Sequence, residues 1–130
     1  MPARRINFDT VRKIGLALPG VEESTAYGSP ALKLHGKLLA GIAVNRSAEP
    51  NSLGVCVDFE DRDELLAADP DVYYLTDHYV DHAVVLVRLS RVRPDVLRDL
   101  LGMAYKFVSR RDAPGLSASK QKARSTKNRS

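Results

Sequence analysis

From Ala31 to Lys37 the chain alternates, with Leu32 and Leu34 on one side and Lys33, His35 and Lys37 on the other. Successive side chains of a strand point to opposite faces. The pattern therefore predicts a half-buried strand whose second face carries two fixed cations and a titratable ring. Gly36 falls where the chain must turn into a second apolar strand, Leu38 to Val44. Upstream, Val11, Ile14 and Leu18 recur at helical spacing behind a cap at Asn7 or Asp9, and Leu18-Pro19-Gly20 stops that helix. Thr25 to Gly28 reads as a short strand, broken from the next by Ser29-Pro30. Asn45 to Ser52 is turn chemistry throughout and predicts an exposed hairpin tip carrying Arg46.

Leu53 to Phe59 reads as a strand, and Glu60 to Ala68 as a helix with acids in its first turn, where the dipole favours them. Val72 to Leu75 is a short strand, Thr76 to Ala83 a polar, aromatic loop, and Val84 to Leu89 the most apolar and central strand. Pro94 suits the first position of a long final helix. Val96/Leu97, Leu100/Leu101, Ala104 and Phe107/Val108 mark its apolar face. The expected fold class is α+β, an antiparallel sheet packed against helices. The expected organisation is a lead at residues 1–8, one domain at 9–113, and a basic, disordered tail at 114–130.

Composition sharpens the tail. The 130 residues carry a net charge of +4, unevenly spread. Residues 1–108 hold 13 Lys+Arg against 15 Asp+Glu, whereas residues 109–130 hold 7 against one. The excess of positive charge belongs to the tail and not to the domain. No apolar run reaches the roughly 20 residues of a membrane span, and the start MPARRINFDT lacks the apolar segment of a signal peptide. One cysteine, Cys56, allows no internal disulfide and suits a reducing compartment. A cytoplasmic location is expected, without membrane association.

The stretches LPGVEES, YGSPALKLHGKLLA, LLAADPDVYYLTDHY and VVLVRL occur in this order across roughly Val11 to Lys106. Together they resemble the MmcQ/YjbR family. The matching positions are Leu18, Pro19, Gly20, Tyr27, Gly28, Pro30, Lys33, Gly36, Lys37, His78 and Tyr79. After His78-Tyr79 the family pattern continues with a Gly-Tyr-like pair, where this chain has Asp81-His82. The resemblance implies an α+β fold similar to CyaY-like and secretion-chaperone-like arrangements. It also implies DNA binding through a "double-wing" pair of hairpin loops.

The candidate DNA contacts are Lys33, His35, Lys37, Arg46 and Arg88, with Lys120, Lys122, Arg124, Lys127 and Arg129 in the tail. Such cations would grip phosphates without reading bases, and binding would fall steeply with salt. The plainer reading is a solvated outer sheet face and a solubilising tail. Tyr27, His78 and Tyr79 are the candidate lining of a small-molecule pocket. His78 and His82 stand four apart, but a loop setting and too few ligands argue against a metal. Cys56, between Val55 and Val57, reads as a small buried apolar residue. No catalytic residues, metal or cofactor are expected. The working expectation is a non-enzymatic binder of DNA or another polyanion, monomeric or weakly dimeric. The alternatives are a protein-interaction or chaperone-like adaptor and a small-molecule binder.

Overall fold

The computed structural model describes residues 6–112. Asn7 caps the first helix, α1 (Phe8–Leu16), and its side chain accepts a hydrogen bond from the Asp9 amide at 2.9 Å. Four strands follow: β1 (Val21–Ala26), β2 (Ser29–Leu34), β3 (Lys37–Ile42) and β4 (Ser52–Cys56). Then come α2 (Phe59–Ala68), β5 (Tyr73–Tyr74), β6 (Val84–Arg88) and α3 (Pro94–Asp112). The six strands form one antiparallel sheet in the order β1-β2-β3-β4-β6-β5. The expected α+β class holds, and β6 lies inside the sheet with neighbours on both sides. No described helix is long and apolar enough to cross a membrane.

α1 and α3 pack against one face of the sheet. Leu97, Leu100, Leu101, Ala104 and Val108 of α3 share a core with Leu32, Leu34, Leu39, Leu53, Val55, Val85 and Val87. Burial of a leucine or valine side chain contributes about 1.5–3 kcal/mol, so this layer dominates the gain that opposes chain entropy. Tyr105 donates its hydroxyl to the Pro19 carbonyl at 2.6 Å, tying α3 to the turn after α1.

Three details differ from the expectations. β1 begins at Val21, because Glu22 to Thr25 form an edge strand whose polar residues hide the period-2 signal. Ser29-Pro30 does not break the chain: both residues belong to β2, and a proline is tolerated near a strand's start. The alternation also fails. Ala31 and Leu32 are both fully buried around a bulge where Leu39 has no opposite number. β2 then ends at Leu34, and His35 and Gly36 form the turn with φ of +52° and +82°.

Gly15 is where α1 touches the sheet most closely. A Cβ there would sit 2.2 Å from the Leu32 Cδ1, and Leu32 has no exposed surface into which to move. Gly15→Ala is expected to lower stability by about 1–3 kcal/mol through overpacking, against the usual helix benefit of alanine. Thermal unfolding of the variant measures it.

Candidate nucleic-acid interface

β2 runs between two tight turns of the same kind. Tyr27-Gly28 and His35-Gly36 both have positive φ at each position, the geometry of two-residue hairpins that match strand twist. The two turns lie at opposite ends of β2. The Tyr27 end also carries the 43–51 connection, since Ala31 pairs with Gly41 and the Ala43 amide with the Ser52 carbonyl. The His35 end also carries the 75–83 connection, since Cys56 pairs with Val84. Strands of six residues separate their ends by roughly 17 Å.

This layout divides the cations that the alternation had grouped. Lys33 stands opposite Glu22 and Leu38, and Lys37 opposite the core residue Leu34, so the two lysines face opposite sides of the sheet. His35 is in the turn, with its ring over Gly20: a Cβ on that glycine would lie 3.1 Å from His35 Nε2. Arg46 is exposed at the other end. Lys33, Lys37 and Arg46 make no ion pair among the described residues.

Arg88 is a structural staple and not an open phosphate contact. Its Nε and Nη2 donate to the two carboxylate oxygens of Glu49, each at 2.9 Å. Its Nη1 donates to the Pro70 and Asp71 carbonyls, both at 3.1 Å. The guanidinium lies 4.3 Å from the centre of the Tyr74 ring. The Tyr74 hydroxyl accepts from the Glu49 amide at 2.7 Å and shares a 2.5 Å hydrogen bond with the Ser52 hydroxyl. Ser47 and Thr76 hydroxyls meet at 2.7 Å. The 43–51 loop is thereby folded back and pinned to β4, β5 and β6. A phosphate could reach Arg88 only by displacing Glu49.

A second arginine holds the other end. Arg62 of α2 is 7% exposed, and it donates from Nη1 to the His82 carbonyl at 2.8 Å and from Nη2 to the Val80 carbonyl at 3.2 Å. Nη1 also lies 3.4 Å from the Val84 carbonyl, and the guanidinium stacks on Phe59 at 4.7 Å. Nε has no partner among the described residues. Desolvation lowers the Arg62 pKa, opposed by the charges of Asp63 and Asp81. Arginine stays protonated regardless.

The loop so held carries His78 and Tyr79, whose rings meet edge to face at 4.7 Å, with His82 at 6.3 Å from His78. Tyr27 does not join them. It is 89% exposed, at the turn after the opposite edge strand and at the opposite end of the sheet. The expected Tyr27/His78/Tyr79 pocket is therefore not assembled. Among the described residues, no group of three or more His, Cys, Asp or Glu could hold a metal ion. Cys56 is half-buried, not buried, beside the core.

One concave feature was not expected from the sequence. A shallow groove of about 440 Å³ runs along the outward side of α3, between Arg98 and Arg110, with Asp61 of α2 in its other wall. Lys120, Lys122, Arg124, Lys127 and Arg129 lie outside the described residues.

The comparisons agree with this fold. The family model YjbR matches residues 16–107. No curated protein matches. The crystal structure of Deinococcus radiodurans protein DR2400, with its DUF419 domain, is 21% identical and covers 88% of this chain and 87% of its own, at a TM-score of 0.69. At that identity the likeness is one of fold.

Two outcomes follow from the arginine clamps. Hydrogen bonding to Arg88 holds the Glu49 carboxyl below its ordinary pKa. A depressed carboxyl stabilises the fold above the unfolded pKa, and that stabilisation disappears as pH falls through the folded value. Glu49→Gln is therefore expected to flatten the decline of melting temperature below about pH 4.5, read from thermal scans between pH 3 and 6. Arg62→Leu strands the Val80 and His82 carbonyls at a cost of about 1–3 kcal/mol. Faster amide exchange confined to residues 76–84 would register it, and Arg62→Lys should not restore the forked contact.

Proposed function

The chain belongs to the YjbR family, and from that premise we propose that it binds DNA through backbone charge, without reading base sequence. It acts as a cytoplasmic, non-enzymatic binder, monomeric or weakly dimeric. One observation carries this reading: the charge is segregated. In the described part Arg12, Arg88, Arg91 and Arg93 are paired with carboxylates, and Arg62 is buried on carbonyls. Lys33, Lys37 and Arg46 keep their charge for a partner, and residues 109–130 add 7 basic residues against one acid. Two hairpin loops at one end of the sheet, the Tyr27-Gly28 turn and the 43–51 loop with Arg46, support a wing-like approach to a phosphate backbone. Arg88 is left out of the contact set, because it pins that loop.

A protein-interaction adaptor has one observation in its favour. Phe59 and Val80 are 45% and 44% exposed, and both flank the buried Arg62. An apolar patch of that kind suits a protein partner more than DNA.

Titration of a fluorescent DNA duplex separates the two. If about four phosphates are neutralised, affinity should fall on the order of 100-fold between about 50 and 200 mM salt. Changing Lys120, Lys122, Arg124, Lys127 and Arg129 to Gln in the full-length chain should weaken binding and reduce the salt slope. Changing Lys33, Lys37 and Arg46 to Gln should weaken it further. Absence of binding at low salt overturns the reading; indifference to the Arg46 change removes the wings from it, and indifference to the Lys33 and Lys37 changes removes those two lysines from the contact set.

A further inference from the structure

α3 carries a glycine that its packing does not explain. Gly102 sits in the middle of a 19-residue helix, where glycine is unfavourable, and a Cβ added there would meet nothing within 4 Å. Close approach to a neighbour is therefore not its reason. Its place on the helix is informative. Residues 98, 102, 106 and 110 follow at intervals of four and form one ridge. That ridge reads Arg98, Gly102, Lys106, Arg110. The buried residues Leu97, Leu100, Leu101, Ala104 and Val108 occupy the opposite side.

The glycine thus removes the side chain at the centre of a basic ridge and opens the groove described above. Arg98 and Lys106 stand about 12 Å apart along the axis, on either side of the gap, and Arg110 follows about 6 Å further on. None of the three makes an ion pair among the described residues. Asp61 and Asp99 also line the groove, leaving it one positive charge in excess. Arg110 is followed in the chain by Arg111 and the basic terminal stretch.

We propose that this groove seats a phosphate of the DNA backbone over Gly102, held by Arg98 and Lys106, with Arg110 leading toward the next phosphates. The proposal rests on the DNA-binding reading above and gives it a position on the folded domain. The glycine lets the phosphate reach between two long side chains that would otherwise be kept apart by a third. The arginine supplies a planar fork and the lysine a point charge, both suited to phosphate oxygens.

The test uses the full-length chain and the same fluorescent duplex. Gly102→Gln fills the gap with a neutral side chain that favours helix. Its melting temperature should rise by about 4 °C while DNA affinity falls by about tenfold, so weaker binding cannot be assigned to unfolding. The double variant Arg98→Gln/Lys106→Gln should lower the slope of log affinity against log salt by about two. Asp61→Asn should strengthen binding. If Gly102→Gln binds as the parent does, the groove is not a seat, whether or not the charge changes weaken binding. If the parent binds no DNA, the reading beneath the proposal fails with it.

Discussion

The ridge formed by Leu97, Leu100, Leu101, Ala104 and Val108, buried against the sheet, fixes the inner face of the molecule and leaves Arg98, Lys106 and Arg110 on the outer side of α3. A helix that buries one ridge must present the opposite one to solvent. Here the opposite ridge is basic and interrupted by a glycine. The same docking seats α1, whose Gly15 lies against Leu32. The 43–51 connection is held separately, by the hydrogen bonds of Arg88 and Tyr74 with Glu49. Packing thus decides which cations are spent inside the fold and which stay on its surface.

That division matters more than the net charge. A guanidinium that grips a carboxylate in two places and two carbonyls besides is part of the scaffold, however basic it looks in the sequence. Arg88 is such a group, and Arg62 is another, held on carbonyls instead of carboxylates. Together they fix the two long connections at opposite ends of the sheet. Among the described residues, Lys13 on α1, Lys33, Lys37 and Arg46 on the hairpins, and Arg98, Lys106 and Arg110 on the outer ridge of α3 make no ion pair. Under the DNA-binding reading proposed above, such a distribution would give weak, salt-sensitive contact with phosphates.

Much of the fold was legible. The helical spacing of α3, its proline start, the acid-capped α2 and the apolar β6 all carry local signals. The turns were harder. His35-Gly36 adopts a two-residue hairpin normally announced by Asn-Gly, so the alternation in the sequence runs through it and groups His35 and Lys37 with Lys33. β1 was underestimated because an edge strand buries little and need not alternate. The candidate site was read less well, because partners distant in sequence decide it. Glu49 reaches Arg88 across 39 positions, and Arg62 reaches the 80–84 loop from within an acidic run that masked it. The sequence signal for the groove is Gly102, inside a helix whose outer ridge also holds Arg98, Lys106 and Arg110.

The most direct measurement is a nitrogen-15 amide spectrum of the full-length chain recorded while duplex DNA is added at low salt. The account predicts shifts concentrated on residues 98–110, on α2 around Asp61, and around Lys37 and Arg46, with residues 76–84 left in place. Changes confined to residues 76–84, or a spectrum that does not respond to DNA, would contradict it.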